Sequence, residues 1–99
     1  MEIKQNNINE GVELTLTARL DTITSTKLQT ALAETIKSSE AVILDFAGIE
    51  YVSSAGLRVL LQGQKIAQGS GKSMKFKNVS PEVMEVFDVT GFSGILTFI

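Results

Sequence analysis

At 99 residues the chain has the length of one small domain, expected to span residues 1–99, and it can bury a core without a metal or disulfide staple. It contains no Cys and no His, which excludes thiol redox chemistry, zinc sites of the usual kind and a His general base. A net charge of −2, with nine Lys and Arg that form no run, disfavours nucleic-acid binding. No apolar run reaches the roughly 20 residues of a membrane span, and the N-terminus has no signal-peptide core, so a cytoplasmic location without membrane insertion is expected.

Glu2 to Ile8 is a polar stretch that suits only an edge strand, and Asn6-Asn7-Ile8-Asn9-Glu10-Gly11 supplies turn chemistry after it. Val12, Leu14, Leu16 and Ala18 then alternate with Glu13, Thr15, Thr17 and Arg19, a strand with one covered face and one wet face. From Thr24 to about Ser38 the period becomes helical, with Leu28, Ala31, Leu32, Thr35 and Ile36 on one side. Ala41 to Phe46 is nearly all apolar, as a central parallel strand should be.

A second helix is expected from Ser54 to Gln68, burying Leu57, Leu60, Leu61 and Ala67 and ending at Gly69 and Gly71. Gly63, inside it, costs about 1 kcal/mol relative to Ala, and the sequence offers no reason for it. Ser73 to Lys77 alternates as a strand. A third helix follows Ser80-Pro81, with Val83, Val86 and Phe87 inward and Gly91 at its end, and Ile95 to Phe98 makes a last strand. The order β-β-α-β-α-β-α-β predicts an α/β fold: an open, mostly parallel sheet of four to five strands with helices mainly on one face.

The three helix starts share a pattern. Ile23-Thr24 precedes Leu28, Val52-Ser53 precedes Leu57, and Val79-Ser80 precedes Met84. Each reads as a hydrophobic staple around a hydroxyl N-cap, assigning Thr24, Ser53 and Ser80 as caps. Ser54 then stands at the first helical position with no structural duty.

Catalytic readings fare poorly. Ser54 lacks the Gly-x-Ser-x-Gly elbow of hydrolases, there is no His to activate it, and no lysine is pointed to as its base. Asp21, Asp45, Glu50 and Asp88 have no metal-ligand spacing, and Asp45 and Glu50 read as solvated loop charges. Gly69-Ser70-Gly71-Lys72 follows a helix and precedes a strand, the reverse of a phosphate-binding loop, and reads as a helix-ending turn. The chain is therefore expected to be no enzyme and to need no cofactor.

The stretch from Leu44 to Leu57, LDFAGIEYVSSAGL, resembles the signature of the STAS domain, and within it that of the bacterial anti-sigma factor antagonists. Leu20-Asp21, Ser80-Pro81 and Phe87-Asp88-Val89-Thr90-Gly91-Phe92 lie where that family has similar residues. The resemblance implies the family's β-α superhelix and places its phosphorylated serine on Ser54. Ser53 stands where the family often has Asp, and Ala55 where it often has Ser. The partner surface it implies comprises Asp21, Thr22, Ser53, Ser54, Ala55, Gly56 and Arg58. The implied partners are an anti-sigma factor with serine kinase activity and a PP2C-type phosphatase. The unmodified protein would bind the anti-sigma factor and release the sigma factor, and phosphorylation would end binding. The alternative within the same family is a non-switching scaffold, or the small subunit of a lipid-transport or signalling complex.

Overall fold

The computed structural model describes residues 2–9 and 11–99; Glu10, part of the expected first turn, lies outside the described residues. A five-stranded sheet holds β1 (Ile3–Ile8), β2 (Gly11–Leu20), β3 (Ala41–Val52), β4 (Ser73–Lys77) and β5 (Thr97–Phe98) in that spatial order. β1 runs antiparallel to β2, and every later pair is parallel. The polar β1 occupies one edge, where its side chains need little cover.

Helices α1 (Thr22–Ser38), α2 (Ser54–Gly69) and α3 (Pro81–Thr90) connect the parallel strands. Leu14, Leu44, Phe76 and Phe98 line up across β2 to β5 on the helix-covered face. α3 closes the far end through Phe87, whose ring lies 6.3, 6.0 and 5.8 Å from those of Phe46, Phe76 and Phe98. The other face carries no helix. There a Lys77–Glu13 ion pair crosses β3 diagonally, since Glu13 is in register with Ile43 and Lys77 with Asp45. The hydrogen bond to Glu13 is the main cause holding the Lys77 ammonium above the usual lysine range.

Four expectations need correction. β3 does not end at Phe46 but continues to Val52, so Asp45 and Glu50 lie within a strand. The turn-forming residues Asp45, Ala47 and Gly48 belong to an irregular section: between Thr15 and Thr17 on β2 the partner on β3 advances from Asp45 to Gly48. Asp45 serves this section by accepting hydrogen bonds from the Ala47 N–H and the Asn78 side-chain amide, both at 3.0 Å. Ala18, expected on the covered face, is exposed with φ of 77°, because a second register shift falls between Ala18 and Arg19. Leu61 is half-buried, while Val59 and Gln64 are buried on α2. The last strand is shorter than expected, since Phe92–Gly94 forms a 3₁₀ turn first.

Gly63 and the Gly-Ser-Gly-Lys turn both receive structural roles. A Cβ at Gly63 would lie 3.1 Å from Leu32 Cδ1 and 3.2 Å from Met74 Sδ, so the glycine sets how closely α2 approaches α1 and β4. Lys72 reaches back to donate to the carbonyls of Ile36 and Lys37, neutralising the exposed C-terminal end of α1. The Lys72 N–H also bonds the Ala67 carbonyl at 2.8 Å, which locks the turn after α2.

The contact at Gly63 makes a test. Gly63→Val should overpack the α1–α2 seam and lower unfolding free energy by about 1–3 kcal/mol in urea denaturation. Gly69→Ala, at a helix end with nothing within 4 Å, should be neutral or stabilising by up to about 1 kcal/mol.

Candidate functional site

β2 and β3 end at the same level, with Leu20 paired to Val52, and each leads straight into a helix. The two helix starts are therefore neighbours. The Ser53 N–H donates to the Leu20 carbonyl at 2.8 Å, joining the end of β3 to the end of β2. Gly56, one turn into α2, packs directly on Leu20: a Cβ there would stand 2.7 Å from Leu20 Cγ and 3.0 Å from the Leu20 oxygen. Only glycine allows this approach, and a side chain at 56 would push α2 away from β2.

Asp21 is the N-cap of α1. This corrects the assignment of Thr24, which is instead the third helical residue. Asp21 Oδ1 accepts from the N–H groups of Ile23 and Thr24 at 3.0 and 2.9 Å, and the Thr24 hydroxyl accepts from the Asp21 N–H at 2.9 Å. This reciprocal arrangement is a capping box. The staple read around Ile23 fails with it, and Ile23 is 84% exposed. The Asp-x-x-Thr spacing carried the signal, but the staple pattern shared with the other helices favoured Thr24. The Thr24 backbone N–H is the chief cause holding the Asp21 carboxyl below the usual carboxylate range.

Ser53 caps α2, its hydroxyl accepting from the Gly56 N–H at 3.1 Å, with Val52 and Leu57 buried on either side. Ser80 caps α3, accepting from the Val83 N–H at 3.2 Å. Ser54 is the first residue of α2, exposed, and its hydroxyl makes no hydrogen bond to any described residue. Thr22 and Arg58 are also exposed, and Ala55 is half-buried between Ser54 and the buried Gly56. Asp21, Thr22, Ser53, Ser54, Ala55 and Gly56 thus come together at the two helix starts, with Arg58 one turn along α2 from Ser54.

The structure adds a pair that the sequence did not single out. Arg19 and Tyr51 are register partners at the ends of β2 and β3, and the guanidinium carbon sits 4.3 Å from the centre of the Tyr51 ring. Tyr51 remains 42% exposed. Among the described residues, no group of three or more His, Cys, Asp or Glu is placed to hold a metal. No helix among the described residues is long and apolar enough to cross a membrane.

A protein-family model described as "Mlab, STAS domain" matches residues 5–97. The chain belongs to the STAS domain family. Within it, the chain groups with the anti-sigma factor antagonists, which are non-enzymatic regulators. It is 31% identical over 97 residues to BtrV of Bordetella bronchiseptica, covering 96% of this chain and 83% of that one. It is 23% identical over 96 residues to the anti-sigma-B factor antagonist of Bacillus subtilis, covering 97% and 86%. The fold matches the anti-sigma factor antagonist SpoIIAA in its unphosphorylated form with a TM-score of 0.82 at 17% identity, over 99% of this chain and 88% of that one. The phosphorylated form matches with a TM-score of 0.76 at 16% identity, over 99% and 91%.

The adjacent serines should behave differently in urea denaturation. Ser53→Ala removes a cap and should lower unfolding free energy by about 1 kcal/mol, whereas Ser54→Ala should stay within about 0.5 kcal/mol of the native chain. Asp21 gives a pH test. Because its pKa is lowered on folding, its ionised form stabilises the fold at pH above the ordinary carboxylate value, and that contribution is lost as pH falls through the lowered pKa. Asp21→Asn keeps a capping side chain without the charge, so its stability should fall less steeply on acidification, as read from thermal melts between pH 6 and acid.

Proposed function

We propose that this chain is an anti-sigma factor antagonist that docks on its partner through the two helix starts and is switched off by phosphorylation of Ser54. The observation that carries the reading is the division between the two serines. Ser53 holds the helix, and Ser54 presents an unengaged hydroxyl to solvent one residue further on. The names of the relatives support the class of partner, and the existence of SpoIIAA in both phosphorylation states supports a fold that accepts the modification.

Unmodified, the surface of Asp21, Thr22, Ser53, Ser54, Ala55, Gly56 and Arg58 contacts an anti-sigma factor that is itself a serine kinase. Docking displaces the sigma factor. The kinase then transfers the γ-phosphoryl group of ATP to Ser54 Oγ, with ADP leaving and the hydroxyl proton lost, adding about −1.5 to −2 charges at pH 7. At a helix start this charge faces unpaired backbone N–H groups and the positive end of the helix dipole, so the fold survives it. In a close-packed interface the same group is too large and too polar, and the complex separates. A PP2C-type phosphatase resets the protein.

A second reading has its own support in Ser53, which stands where the family often has an acid beside the acceptor. On that reading the surface is a constitutive docking face of a scaffold or of a transport-complex subunit. Calorimetry with a candidate anti-sigma factor kinase separates the two. Ser54→Ala should bind as tightly as the native chain and resist switching by ATP, while Ser54→Asp should bind at least tenfold more weakly. Equal binding by both variants would remove Ser54 as the switch. After incubation with kinase and ATP, mass spectrometry should place phosphate on Ser54 alone; phosphate on Ser53 would contradict the separation of roles.

A further inference from the structure

Resting on the reading of Ser54 as a phosphorylation site, we infer that Arg58 is the internal counter-ion of the phosphorylated serine. The modification then withdraws a cation from the docking face in the same step that adds an anion to it.

Ser54 and Arg58 lie four residues apart on α2, and both are exposed. That spacing puts their Cβ atoms roughly 5–6 Å apart on one helix face. Helical side chains lean toward the N-terminus, so a long side chain at 58 lies over the turn that contains Ser54. The order matters as well: an anion followed four residues later by a cation is the favourable arrangement along a helix. Arg58 has no ion-pair partner among the described residues, and α2 has no acidic residue in its first turn to compete with a phosphate. The Arg19 guanidinium is already committed to the Tyr51 ring.

The phosphate would be held from two sides. The N–H groups of Ser54 and Ala55 have no carbonyl one turn earlier in the helix to bond, while that of Gly56 is taken by Ser53. The guanidinium of Arg58 offers a planar fork that matches two phosphate oxygens. An aspartate at 54 has one charge and a shorter reach, so it engages Arg58 less fully than phosphate does. Capture of Arg58 gives the switch a second effect: a partner group that had met this cation loses it.

The test uses the full chain with phosphoserine incorporated at position 54 during translation, in the native, Arg58→Lys and Arg58→Gln backgrounds. Phosphorus NMR follows the second ionisation of the phosphate with pH. The native phosphoprotein should ionise at lower pH than Arg58→Gln, with Arg58→Lys between them, and the gap should shrink as salt rises. The nitrogen-15 signal of the Arg58 guanidinium should also shift on phosphorylation. Superimposable titrations in the native and Arg58→Gln proteins, or an unmoved guanidinium signal, would overturn the inference. Since phosphoserine is installed without a kinase or partner, this result is independent of whether the docking reading holds. That reading stands or falls on the binding measurements with Ser54→Ala and Ser54→Asp.

Discussion

The contact on which the site depends is the seam where α2 starts against the end of β2. Two features make it: the hydrogen bond from Ser53 N–H to the Leu20 carbonyl, and the bare backbone of Gly56 lying on the Leu20 side chain. Parallel pairing brings Leu20 and Val52 to the same level, so the caps that follow them, Asp21 and Ser53, mark two helix starts side by side. Parallel strands that end together and turn into helices on the same face produce this arrangement of necessity. The chain's sequence choices at the seam are small residues and short polar caps, which keep the two starts close and their outer rim open.

Over one residue that geometry separates a hydroxyl that holds the helix from one that is free, and on the proposed reading it separates structure from signal. The Ser53 hydroxyl bonds inward to Gly56, and its flanking Val52 and Leu57 are buried, so its loss is felt in stability. Ser54 follows on the solvent side with nothing to hold. A helix start is also one of the few places on a protein surface where a doubly charged group meets favourable fixed dipoles. A modification there changes the surface a partner meets without asking the core to move. Exposed side chains stand at the same ends of the elements, Thr22 and Ile23 at the start of α1 and Tyr51 under Arg19 on the strand ends, and they are of the kind that recognition surfaces use.

Much of this was legible in the residues. Every strand and helix was expected from the residues, and periodicity carried the clearest of them, because Val12-Leu14-Leu16 and Leu28-Leu32-Ile36 repeat at the spacings their elements require. The caps Ser53 and Ser80 could be read from hydroxyls placed before apolar helices. What failed depended on long-range pairing. The residues after Phe46 look like a loop in isolation, and only β2 alongside keeps them in a strand with an irregular register. Ala18 fits the alternation of its neighbours, yet a register shift turns it outward. Gly63 had no local explanation, because its reason sits on α1 and β4, in Leu32 and Met74. At α1 a shared pattern misled: Asp21 outcompetes Thr24 as cap by accepting two backbone N–H groups, and Thr24 closes the box from inside the helix.

The central claim is that phosphate on Ser54 ends docking while leaving the fold intact. The most direct measurement is a set of amide NMR spectra of the chain carrying phosphoserine at 54, recorded alone and with the anti-sigma factor kinase. The account predicts shifts confined to the starts of α1 and α2 when phosphate is present, and no further change on adding the kinase, which does perturb the unmodified chain. Equal perturbation of both forms by the kinase, or shifts spread through the sheet on phosphorylation alone, would contradict it.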